Sequence, residues 1–191
     1  MSQLPSHSAL LLIDVINDFE FPESRKLLRH AVPAARRLAR LKDAVKDAGI
    51  PVIYVNDNFG RWQSTFQEQI ERCSAVDCAG HPVASLLLPE KDDYFVLKPR
   101  HSGFYSTSLE VLLGFLGIRT ILLTGFAGDI CVLYTANDAY MRSYDLIVVN
   151  DCVASESEAG NRAAIEHMKV RLKARSLSSR TLAGYLKFSR G

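Results

Sequence analysis

The sequence lacks a strong excess of charge of either sign. Lys and Arg total 23 and Asp and Glu total 21 in 191 residues, a net charge of +2. That balance supplies no field for a polyanion, so no nucleic-acid partner is expected. Long apolar runs are also missing. None approaches the ~20 residues that cross a bilayer, and no membrane partner is expected. The apolar stretch from Ala9 to Ile13 is too short for a secretory core and follows no basic leader. The expected location is cytoplasmic. Cysteine is scarce: Cys73, Cys78, Cys131 and Cys152, with no CxxC pair. Free thiols are therefore expected, and a dithiol redox enzyme is argued against. Cys73, Cys78 and His81 do not have a common zinc spacing and lack a fourth ligand, so no metal is predicted there. There is no internal repeat, no low-complexity stretch and no sign of a second domain. The length suits one domain, residues 1–191, with a full core.

What is present is a regular alternation. Ala9 to Asp14 reads as a strand buried on both faces, because its apolar run does not alternate. Ala35, Leu38, Leu41, Val45 and Ala48 recur at helical steps and predict a helix over Val32 to Ala48, stopped at Gly49. Pro51 to Val55 reads as a second strand, Tyr94 to Lys98 as a third, Thr120 to Thr124 as a fourth and Leu146 to Asn150 as a fifth. A sixth, short strand falls near Ala174 to Leu177, before a closing helix. Three capping boxes are legible: Ser64 with Gln67, Thr107 with Glu110, and Ser155 with Glu158. A further helix is expected from about Ile130 to Ser143. Asn56 to Pro82 is irregular. The pattern predicts an α/β fold: a three-layer α/β/α sandwich around a mostly parallel, six-stranded, Rossmann-like sheet with helices on both faces.

In such sheets ligands bind beyond the carboxyl ends of the strands. The polar residues that end strands are Asp14, Asn56, Asp57, Lys98 and the pair Asn150 and Asp151. Cys131 follows the fourth strand and is expected in the first turn of the next helix. A helix N-terminus lowers a thiol pKa and offers N–H groups to an oxyanion. The plain alternative is a small buried helix residue. Asp14 is costly after four apolar residues unless it has a partner or a task, and Lys98 is either a solvated lysine or part of the same rim. Together a thiol, a carboxylate and an ammonium make a coherent set for covalent catalysis.

Three segments carry a resemblance to a known family: LLLIDVINDF (Leu10 to Phe19), VLKPRHSGFYST (Val96 to Thr107), and TGFAGDICVLYTANDAY (Thr124 to Tyr140) with the trailing VVNDCVAS. The chain resembles the isochorismatase-like cysteine hydrolases, which include nicotinamidases and N-carbamoylsarcosine amidohydrolases. The resemblance implies a catalytic set of Asp14, Lys98 and Cys131, an oxyanion hole from the backbone N–H groups of Ala127 and Cys131, and a cis peptide at Phe126–Ala127. It implies hydrolysis of a C–N bond in a small amide, ureide or carbamoyl compound through a thioester, and a homo-oligomer; no cofactor is expected. Four positions depart from the family pattern. Ile16 stands where Gln is frequent, and Gly128 stands where Thr is common, which is expected to loosen the turn. Asn56 and Asn58 replace an Asp-x-His metal pair, and neutral amides are poor ligands for a transition metal.

Phe19, Trp62 and Phe104 are candidates either for aromatic walls around a small substrate or for packing. Arg100 and His101 are candidates either for binding an anionic group or for a loop or subunit contact. Two other functions stay open at this point: a vinyl-ether or ester hydrolase, and a silent binding protein of the same fold.

Overall fold

The apolar run near the start becomes β1 (Ser8–Ile13), buried along its whole length. The computed structural model describes residues 7–60, 62 and 65–188. Five further strands follow: β2 (Val52–Asp57), β3 (Tyr94–Lys98), β4 (Thr120–Phe126), β5 (Asp145–Ala154) and β6 (Arg175–Leu177). They form one sheet in the order β3-β2-β1-β4-β5-β6, and every pairing is parallel. The chain winds outward from the centre twice, through β1, β2 and β3 and then through β4, β5 and β6. The switch falls between β1 and β4, the place where sheets of this kind bind ligands.

Helices cover both faces. Alternate β1 residues serve two cores, as the pleat requires. Leu10 and Leu12 pack with α1 (Ser24–Asp47), α2 (Phe66–Ser74), α3 (His81–Ala84) and α7 (Ser179–Phe188). Ala9, Leu11 and Ile13 pack with α4 (Leu109–Phe115), α5 (Leu133–Met141) and α6 (Glu158–Arg171). The sheet is thus covered on both sides, which is why its strands read as unbroken apolar runs.

Helix starts depart most from the sequence expectations. Helix α1 begins eight residues before Val32 and carries Pro33 inside it. Leu27 and Ala31 extend the buried stripe toward the N-terminus, and Pro33 sits on the exposed side. The expected cap Ser64 lies outside the described residues. The box that forms joins Thr65 and Glu68, each side chain accepting from the other's backbone N–H. Helix α4 starts at Leu109, after Ser108, with no side-chain cap. Thr107 Oγ1 accepts from Leu109 N at 3.2 Å and donates to Gly103 O. Helix α6 is capped by Ser157, which accepts from Gly160 N at 3.0 Å, and not by Ser155.

Strand β5 is longer than expected because its register shifts. Leu123 pairs Val148, yet Gly125 pairs Val153. The residues left over hold Asn150 and Asp151, whose side chains bind elsewhere. Asn150 donates to Ser176 Oγ at 3.0 Å, and Asp151 accepts from the backbone and hydroxyl of Ser179 at the start of α7. This polar pair ties β6 and α7 to the sheet.

Candidate active site

Asp14 follows β1 in the left-handed region, with φ at 50°. Asp tolerates that conformation better than most residues. The turn takes its carboxylate along the rim. Oδ1 accepts from Asp57 N at 2.7 Å, and Oδ2 lies 2.8 Å from Lys98 Nζ. Lys98 ends β3, two strands from β1, a separation of about 10 Å from strand spacing alone. Its extended side chain crosses Asp57, its register partner on β2. The ammonium lies 3.3 Å from Asp57 Oδ2 and 3.7 Å from Cys131 Sγ. It is 0% exposed, so it needs the charges around it. Burial works against its charge, but the Asp14 and Asp57 carboxylates oppose that and push its pKa up.

The turn after β4 delivers Cys131. Gly125 has φ at 112°, and a Cβ there would meet Ile13 O at 2.0 Å. Only glycine lets β4 bend this close to β1. The Phe126–Ala127 peptide is cis. Gly128–Val132 then forms a π turn before α5. Ala127 O accepts from Val132 N at 3.1 Å and from Ile130 N at 3.2 Å. Cys131 therefore sits in a π turn that leads into α5, not in the first turn of the α-helix itself.

Its electrostatics reverse the expected direction. Burial raises the Cys131 pKa, and Asp14 raises it further by charge and by a hydrogen bond; Lys98 pulls the other way and does not prevail. The physical reason is the local charge. One ammonium already faces two carboxylates, so a thiolate would add a second net negative charge to a buried site. The resting group is a thiol with a carboxylate beside it. Without substrate, its alkylation by iodoacetamide is expected to keep rising with pH past the ordinary thiol value of about 8.5. A plateau below about pH 8 in the rate of Cys131 alkylation, read by mass spectrometry, would refute the raised value.

The other candidates are more dispersed. Phe19 is 2% exposed and packs in the core beside Phe21. Phe104 is buried in the opposite core, with the Arg142 guanidinium 4.9 Å from its ring centroid. Both placements are those of packing residues. Trp62 is 78% exposed. Arg100 and His101 are exposed and line a groove of about 510 Å³ beside α5, where the His101 ring stacks on Tyr134. That groove is lined by none of Asp14, Lys98 and Cys131. Asp57 is the site residue that sequence reasoning left out of the set. Its position as a polar residue at the end of β2 was the available signal.

Asn56 and Asn58 each make one side-chain hydrogen bond, and Asn56 Oδ1 is buried with no hydrogen-bond partner among the described residues. Asn56 Nδ2 donates to Ile16 O at 2.5 Å, and Asn58 Oδ1 accepts from Gly60 N at 2.9 Å. No group of three or more His, Cys, Asp or Glu suited to a metal ion occurs among the described residues. His81 meets Ser74 O through Nδ1 at 2.7 Å, while burial pushes the nearby Cys73 thiol up to about 12.

A parallel sheet with charged groups gathered at its switch point is the layout of a small-molecule enzyme. Residues 8–179 match the Isochorismatase domain. The chain belongs to the isochorismatase family and is a hydrolase. It is 39% identical over 161 residues to the uncharacterized isochorismatase family protein YaaI of Bacillus subtilis (strain 168), covering 84% of this chain and 88% of that one. It is 32% identical over 139 residues to the ureidoacrylate amidohydrolase RutB of Methylorubrum extorquens (strain DSM 6343 / CIP 106787 / DM4), covering 62% of this chain and 56% of RutB. Among solved structures, N-carbamoylsarcosine amidase from Thermoplasma acidophilum superposes with a TM-score of 0.67 at 29% identity, covering 90% of this chain and 96% of that one. No helix among the described residues is long and apolar enough to cross a membrane.

Proposed function

We propose that the protein is a cysteine-dependent amidohydrolase that cleaves a C–N bond in a small amide, ureide or carbamoyl compound through a thioester on Cys131. The observation that carries this reading is the position of Lys98 Nζ, between Asp14 Oδ2 at 2.8 Å and Cys131 Sγ at 3.7 Å. The names of two relatives, one for a ureido and one for a carbamoyl compound, support the substrate class.

The chemistry follows from the charges. Asp14 accepts the thiol proton as sulfur attacks the substrate carbonyl, so the site's net charge does not change. Lys98 holds Asp14 in place and stabilises the sulfur as negative charge develops. The carbonyl oxygen becomes an oxyanion held by the backbone N–H groups of Ala127 and Cys131. As the C–N bond breaks, Asp14 returns the proton to the leaving nitrogen and a thioester remains. Water, deprotonated by Asp14, then attacks the thioester and releases the acid and the thiol.

A panel of small amides, ureides and carbamoyl compounds, read by ammonia release, tests the reading. Turnover of at least one member is expected, with the acyl mass of a slow substrate on Cys131. No release from any member, or an acyl adduct only on Cys73, Cys78 or Cys152, would refute it. No metal is expected in the reaction, because Asn56 and Asn58 are neutral amides and poor ligands for a transition metal. Activity is therefore expected to survive dialysis against a chelator. Full loss, restored by a divalent ion, is the contrary result.

A further inference from the structure

Gly128 and Asp129 follow the cis peptide and lead into the π turn that carries Cys131. Neither touches the reacting atoms. Both are held from behind by the end of β5 and the first turns of α6. Asp129 N donates to Ser155 Oγ at 3.1 Å. Ser155 Oγ donates to Asn161 Oδ1 at 3.2 Å, and Asn161 Nδ2 donates to Val153 O at 3.1 Å. The direction of this chain is not free. The Val153 carbonyl can only accept, so the Asn161 amide nitrogen must face it and its oxygen must face Ser155. The serine proton then points to Asn161, which leaves a lone pair for Asp129 N–H. Ser155 is 1% exposed, so water does not compete for its hydroxyl.

Two glycines let this clamp close. A Cβ on Gly128 would stand 2.3 Å from Asn161 Oδ1, 2.5 Å from Val153 Cγ1 and 3.1 Å from Ser155 Oγ. The space a threonine side chain would fill is occupied by Asn161. The expectation that Gly128 loosens the turn is therefore corrected: its bareness lets the clamp seat directly on the backbone. On the other side, a Cβ on Gly160 would stand 2.7 Å from Asp129 Oδ2. The Asp129 carboxylate rests against the first turn of α6, the end of a helix that favours an anion.

We propose that Ser155 is a positioning residue for the reaction: through Asp129 N–H it fixes the Gly128–Asp129 peptide, and so aims the neighbouring N–H groups of Ala127 and Cys131 at the substrate oxygen. This rests on the cysteine-hydrolase reading above. The hydrogen bond to Ser155 also commits the Asp129 N–H, so it stays out of the oxyanion site. Oxyanion donors act by being fixed in advance, and small misplacements cost rate without changing ground-state binding.

The test compares two reactions of Cys131 in the same protein. Acylation by p-nitrophenyl acetate forms the S–C bond, passes through an oxyanion and expels p-nitrophenolate, with the thiol proton leaving by way of Asp14. Alkylation by iodoacetamide displaces iodide at a tetrahedral carbon and forms no oxyanion. Ser155→Ala is expected to slow acylation about tenfold while alkylation stays within about twofold of wild type. On any substrate found in the amide panel, kcat should fall by a similar factor with KM unchanged. Asn161→Ala keeps the hydroxyl but removes its acceptor, and is expected to show the same split at a smaller size. It carries the comparison if Ser155→Ala does not fold. Equal acylation-to-alkylation ratios in wild type and variants would overturn the positioning role. Wild-type protein that alkylates at Cys131 but never acylates there would overturn the hydrolase reading itself, and the proposal with it.

Discussion

Cys131→Ala is expected to abolish turnover on every substrate the protein accepts while its thermal unfolding stays close to that of wild type. The two halves of this expectation have separate causes. In the proposed reaction the sulfur forms the covalent intermediate, and the neighbouring Asp14 and Lys98 have nothing to activate without it. The fold, by contrast, loses little. Cys131 is half-buried, its surroundings are helical, and Ala is the best helix former. The variant also removes a thiol that burial and Asp14 already keep neutral, so no charge is left unpaired. Cys131→Ser is expected to be almost as inactive, because a hydroxyl gives up its proton far less readily than even this raised thiol. Turnover of Cys131→Ala near the wild-type rate, measured by ammonia release, would remove the covalent mechanism.

Lys98→Ala is expected to damage both activity and stability, which sets it apart from the cysteine variant. The ammonium is fully buried and lies within 3.3 Å of both Asp14 and Asp57. Removing one partner of a buried ion pair leaves uncompensated charge and costs about 3–5 kcal/mol. Here two carboxylates are left around the space the side chain filled. Turnover should fall on the order of 10²-fold or more, the range of general acid–base groups. A melting temperature unchanged by Lys98→Ala would contradict the ion-pair role. Unchanged kcat/KM would contradict the catalytic one. Cys131→Ala and Lys98→Ala measured side by side separate chemistry from scaffold: the first should lose rate alone and the second should lose both.

The strands were legible because the sheet is parallel and covered on both faces. That geometry makes apolar runs such as Leu10 to Ile13 and Ile121 to Leu123 continuous, and it places Asp14 and Lys98 at their ends. What was not legible depended on pairings far apart in sequence. The apolar spacing reads as a helix from Val32, yet Leu27 and Ala31 carry the buried stripe of α1 back past it toward Ser24. Ser155 with Glu158 has the spacing of a capping box, but the Ser155 hydroxyl is taken by Asp129, 26 residues away in sequence. The polar pair Asn150 and Asp151 reads as a strand end, but β5 continues past it through a register shift. At the site, the reactive groups were visible as strand-end residues, while the thiol's direction of titration was not. That depends on two carboxylates and one ammonium meeting over three strands, and a helix N-terminus alone suggests the opposite sign.

The two carboxylates around Lys98 would protect the proposed enzyme from its own chemistry. Its nitrogen lies 3.7 Å from the sulfur that, in the proposed reaction, carries the acyl group. An amine with a free lone pair at that range would capture the acyl group as an amide and end the enzyme's working life after one turnover. The Asp14 and Asp57 carboxylates that pair with Lys98 raise its pKa and favour the protonated nitrogen. A protonated nitrogen has no lone pair to offer, so the thioester is left for water.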